Sequence, residues 1–211
     1  MGIGGLLSAT LLVAAPTAQT TIDGLAAVVA GDPIFLSDVW NTERLQLLDP
    51  SGSLAALREG RADDAEGQVL ERLIDRLIDR RLVLGEIARY APIRPPQPEI
   101  DAAVARWRAR ASARGVETSA ADPVALAFIA DTLRIERYIE QRFTAAAHPT
   151  REEARTYYLA DPESFARDGA TPSFDDVEDD ARARLGEERR LAMVRDWLAG
   201  LRTRAQVTVK K

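Results

Sequence analysis

Val69-Leu-Glu-Arg-Leu-Ile-Asp-Arg-Leu-Ile-Asp-Arg-Arg-Leu-Val-Leu-Gly-Glu-Ile-Ala88 decides the fold class. Val69, Leu70, Leu73, Ile74, Leu77, Ile78, Leu82, Leu84 and Ile87 recur at three-to-four spacing. That spacing lays a broad apolar stripe along one face of a helix, predicted from Ala65 to Tyr90. The tetrad Leu-Ile-Asp-Arg occurs twice in succession, at 73–76 and 77–80. A four-residue repeat keeps each residue type near one face, so it reads as packing.

Upstream, the apolar runs Leu25–Val29 and Pro33–Leu36 flank Ala30-Gly31-Asp32, which reads as a hairpin. Pro33 fits only at a strand start or on an edge. Ser37 is expected to cap a helix beginning at Asp38 and carrying Val39, Trp40, Leu45, Leu47 and Leu48. Pro50-Ser-Gly52 is expected to end that helix, and 53–62 reads as a loop.

Downstream, Pro92, Pro95 and Pro96 break the helical pattern, and Pro98 suits the first turn of the next helix. There Ile100, Val104, Trp107 and Ala111 share a face, with arginines at the other positions and Gly115 as the stop. Asp122-Pro123 opens a further helix, Asp as cap and Pro at the first helical position. It carries Leu126, Ile129, Leu133, Ile135, Ile139 and Phe143, and His148-Pro149 stops it. Thr150-Arg-Glu-Glu153 is a capping box. A last helix is expected from Pro172-Ser173 to about Arg204, with Gly186 and Gly200 as weak points. Gln206–Val209 is a β-type tail expected to pair with the 25–36 hairpin, because a lone hairpin is marginal. The fold expected is mainly α, a multi-helix domain with a small hairpin near the N-terminus paired to a C-terminal strand.

Composition narrows the function. The chain has 211 residues, 46% of them hydrophobic, enough for a buried core. The net charge of −5 gives no global field for nucleic acid. With no cysteine and one histidine, His148, thiol chemistry and histidine-rich metal sites are excluded. His148, before a proline, reads as a helix-terminating residue. The acidic run Asp175–Asp180 suits a helix N-terminus better than a cation site. No glycine-rich phosphate loop, nucleophile elbow or solenoid repeat occurs. No cofactor, metal or catalytic residue is therefore expected. Residues 1–18 read as a secretory signal: Ile3 to Ala15 is apolar and the first charge is Asp23. An uncleaved N-terminal helix or anchor is the alternative. A stable membrane span is not expected, because the segment is short and glycine-rich.

The order of segments resembles the SurA-like family of periplasmic chaperones. Ile22–Val39 is similar to the family's opening hairpin and first helix, Val69–Ala88 to its hallmark helix, and Pro98-Glu-Ile-Asp101 to the start of the next. Thr150–Tyr158 with Phe165 resembles the lead into the parvulin isomerase domain. Phe174-Asp-Asp-Val177 through Leu201, closing on Ala205–Val209, resembles the family's last helix and strand. Only six residues, Ala166 to Thr171, separate Phe165 from Pro172, where the family usually carries the isomerase.

The resemblance implies an exported, periplasmic, ATP-independent chaperone without the isomerase. It would bind unfolded or outer-membrane polypeptides through apolar helical surfaces. Residues 19–165 would form the N-terminal helical region, and 166–211 the long helix and strand completing the same domain. Two other readings stand beside it: a structural or scaffolding subunit of an envelope complex, and, by family label only, a peptidyl-prolyl isomerase. Trp40, Tyr138, Phe143, Tyr157 and Phe165 are the candidate client-binding side chains, each weighed against packing in the core.

Overall fold

A computed structural model describes residues 23–48, 66–90, 94–119, 122–167 and 169–210. The expected signal segment 1–18, the stop at Pro50-Ser-Gly52, the 53–62 loop and Pro92 lie outside these residues. The described chain is mainly helical, with one small antiparallel sheet.

Strands β1 (Leu25–Val29) and β2 (Asp32–Phe35) form the hairpin. Ala30 and Gly31 make its two-residue turn with φ of 52° and 95°, the left-handed conformation such turns need. Strand β3 (Val207–Val209) pairs antiparallel with the other side of β1, giving the order β2-β1-β3. The tail and the hairpin thus complete each other, as the marginal stability of a two-stranded unit requires.

Helix α1 (Leu36–Arg44) starts two residues earlier than expected. Ser37 is not its cap. The Asp38 carboxylate accepts from the Phe35 amide at 2.9 Å, and Ser37 turns its amide and hydroxyl to Asp23. The helix also stops earlier. Gln46 adopts a left-handed φ of 49°, so Leu45 and Leu47 leave the helix while remaining buried. Helices α2 (Glu66–Tyr90), α3 (Gln97–Ala113), α4 (Pro123–Ala147), α5 (Arg151–Ala160) and α6 (Phe174–Arg204) follow the predicted pattern. Asp122 caps α4 by accepting from Val124 and Ala125, and Thr150 with Glu153 forms the capping box of α5. Gly115, at φ 73°, follows the end of α3.

Three apolar clusters hold these elements. The largest joins the sheet, α1, α2, α4 and α6, with Ile34, Ile78, Val83, Ile87, Ile139 and Val194 among its most buried members. A second packs Leu45 and Leu47 against Trp107 and Ile129 of α3 and α4. Trp107 Nε1 donates to the Leu45 carbonyl at 2.8 Å, so the short α1 is tied to α3. The third joins α5 to the start of α6 through Tyr158, Phe165, Phe174 and Val177.

The connection between those two helices is compact. A single 3-10 turn (Pro162–Phe165) leads to Arg167 and Ala170, which exchange two main-chain hydrogen bonds of 3.0 Å. Gly169 supplies the positive φ of 78° this reversal needs. Tyr158 then donates its hydroxyl to the Pro172 carbonyl at 2.6 Å, fixing the start of α6.

Candidate functional site

The five aromatic candidates divide by burial. Tyr138 and Phe143 are 6% exposed and Phe165 is 2% exposed. Tyr138 and Phe143 stack on Trp197 of α6, with ring centroids 5.7 and 5.5 Å apart. Phe165 packs on Tyr158 at 5.5 Å beneath the Arg184 guanidinium. These three are core residues and offer no surface to a client. Burying them gains about 1.5–3 kcal/mol per large apolar side chain, which outweighs display. Tyr157 is half-buried and donates its hydroxyl to Glu188, whose hydrogen bond is the main cause of its raised pKa. Only Trp40 stands largely in solvent, at 56% exposure.

Other apolar side chains also stand exposed: Phe35, Tyr90, Val124, Leu159, Val209 and Val69, which does not join the buried stripe of α2 on which its spacing places it. Leu159 had a signal. Ala154 and Tyr158 face inward on α5, so the next residue turns about 100° away from that face. Phe35 also had one, since it alternates with the buried Ile34 along β2.

Open grooves run between the elements. One of about 270 Å³ lies where β2, α1, α2 and α4 meet, walled by Ile34, Leu77, Leu84, Val124 and Phe128. Arg80 from the second Leu-Ile-Asp-Arg tetrad reaches into its wall. Its guanidinium lies 3.7 Å from the centroid of the Phe128 ring and donates to the Phe128 carbonyl at 2.6 Å and to Thr132 Oγ1 at 3.0 Å. Burial pulls its pKa down to about 10, partly offset by Asp131. The charge stays on, because the lowered value is far above neutral.

A second groove, about 400 Å³, lies where the end of α4 crosses α6. Pro149 sits close to Gly186 there, so that a Cβ on Gly186 would stand 3.4 Å from its ring. The glycine flagged as a weak point is where the helices approach closely. His148, exposed, lies on the same groove. A third, about 500 Å³, opens between the hairpin turn and the converging C-terminal ends of α2 and α6. Gly85 leaves its floor bare, and Arg81, Arg89 and Arg204 line it beside Asp32 and Glu86. Arg89 and Arg204 sit in last helical turns, where cations complement the dipole.

Among the described residues no three His, Asp or Glu side chains gather as a metal site, and no helix is long and apolar enough to cross a membrane. The arrangement offers non-covalent burial: exposed apolar side chains, two mainly apolar grooves and one lined largely by charged side chains, on a braced frame. The chain matches no family model and no curated protein.

Proposed function

We propose that this protein is an exported, periplasmic chaperone of the SurA-like kind that acts without ATP. It holds unfolded polypeptides, outer-membrane proteins among them, and performs no prolyl isomerisation. The observation that carries this reading is the closed turn at Arg167 and Ala170 between α5 and α6. That turn stands where the resembled family inserts its isomerase. On either side of it, the parts the resemblance assigns to the chaperone frame remain joined. β3 pairs with β1, and α6 packs against α2 and α4 in one core.

The mechanism is transient shielding. An unfolded chain has exposed apolar segments that aggregate, and contact with Trp40, Phe35, Val124 or the grooves removes part of that surface from water. Small, separate patches give weak contacts, so release needs no energy source.

The test is light scattering of a denatured outer-membrane protein diluted into buffer with and without the folded chain. Suppression of aggregation at near-stoichiometric ratio is expected. A folded chain that leaves scattering unchanged, or that turns over a proline-containing peptide, would overturn the reading. A stable stoichiometric partner without suppression would favour a scaffolding role.

A further inference from the structure

The sheet has two outer edges, and they differ. β2 forms one. Val29 and Asp32 flank the two-residue turn as a bonded pair, so the next residue, Pro33, turns its main chain outward. Proline has no N–H to give, and its carbonyl already accepts from Arg81 Nη2 at 3.4 Å. This edge is blocked.

β3 forms the other edge. Ala30 N donates to the Gln206 carbonyl at 2.9 Å, Lys210 N donates to the Ala26 carbonyl at 3.0 Å, and Thr208 stands opposite Val28. In an antiparallel ladder the main-chain groups alternate between the two sides of a strand. Gln206, Thr208 and Lys210 therefore face β1, while Val207 and Val209 turn their amides and carbonyls outward. No described residue covers these four groups, and the edge has neither proline nor bulge. The Val209 side chain beside them is half exposed.

We propose that this open edge of β3 receives an extended segment of a non-native polypeptide as a fourth strand. The proposal rests on the chaperone reading and adds how a client backbone is held. Outward groups at every second residue match the repeat of an added strand. Main-chain pairing ignores side-chain identity, which suits a protein that must accept many unfolded sequences. A second copy of this chain is the poorer occupant. Two outward residues offer at most four hydrogen bonds and little area, far below what a stable dimer buries. For a client, short-lived pairing added to apolar contacts elsewhere is what reversible holding requires.

The experiment follows amide hydrogen exchange of the folded chain. The probe is an unstructured Val/Thr-rich peptide and a copy N-methylated at alternate residues. The amides of Val207 and Val209 are expected to exchange about tenfold more slowly with the peptide and to be unchanged with the methylated copy. Val209→Pro removes an outward N–H and leaves the inward ladder alone. It should abolish peptide binding at the edge while the Thr208 amide keeps its protection. If aggregation is suppressed but Val207 and Val209 exchange as before, the edge proposal falls and the chaperone reading stands. Slowing that follows protein concentration alone would assign the edge to a second copy and overturn the proposal. Absence of any aggregation suppression would remove both.

Discussion

Arg202 of α6 donates its Nε–H to Asp79 of α2, across 123 positions of sequence. It also donates Nη2 to the Asp75 carbonyl at 3.0 Å and holds the Asp75 carboxylate at 3.5 Å. Both tetrads of the doubled Leu-Ile-Asp-Arg thus converge on a single arginine. Burial would lower the Arg202 pKa, but Asp79 and Asp75 together raise it. On the other side of α2, Arg80 grips α4. Two adjacent residues, Asp79 and Arg80, therefore tie the central helix to both neighbours.

Replacing Asp79 by Ala should cost about 2–4 kcal/mol, since it leaves a part-buried arginine with only its Asp75 contacts. Removing both Asp79 and Arg202 should cost less than the sum of the single changes. Urea unfolding of the two single variants and the double variant measures this. Strict additivity would show that the pair is not coupled.

Gly85 sits in mid-helix on α2, and a Cβ there would meet nothing within 4 Å. Gly85→Ala should stabilise the protein by about 0.5–1 kcal/mol through helix propensity. Gly186 differs, because Pro149 and the Ala147 carbonyl stand 3.4 and 3.7 Å from a Cβ placed there. Gly186→Leu should lower the melting temperature, while Gly85→Ala raises it. Thermal denaturation of the two variants gives the comparison.

Trp40 makes a direct test of the client surface. Because it is 56% exposed, Trp40→Ala should cost only about 1–2 kcal/mol, less than removing a buried aromatic. It should also weaken suppression of client aggregation. Unchanged suppression would remove Trp40 from the working surface.

The Glu153 carboxyl is held at about 2, below its ordinary 4.5, by the Arg189 guanidinium first and the Thr150 amide second. A depressed acid stabilises the fold above its ordinary pKa and loses that contribution as pH falls toward the folded value. The docking of α5 on α6 should therefore loosen between about pH 4.5 and about pH 2. Glu153→Gln should flatten this part of the acid transition, followed by Tyr fluorescence of the α5–α6 cluster.

Periodicity made the helices legible. The stripe of α2, the Asp122-Pro123 start of α4 and the Thr150 capping box depend on neighbours in sequence, so local spacing reports them. Ser37 does not cap α1, because two carboxylates compete near the start of the helix. Asp38 takes the capping amide and Asp23 takes the serine, a choice made by a residue 14 positions away. The aromatic candidates were harder still. Tyr138 and Phe143 lie on the buried face of α4, but only α6, bringing Trp197, covers them.

The helical class, most helix ends and the need of the hairpin for a third strand follow from the order of residues alone, because propensity, capping and pairing act over a few residues. Tertiary structure alone decided which aromatics are hidden, that one arginine unites two repeats, and that one sheet edge is closed while the other is open. Those outcomes depend on which distant segment arrives at a given face, and burial and pairing between segments far apart in sequence leave no local pattern to read.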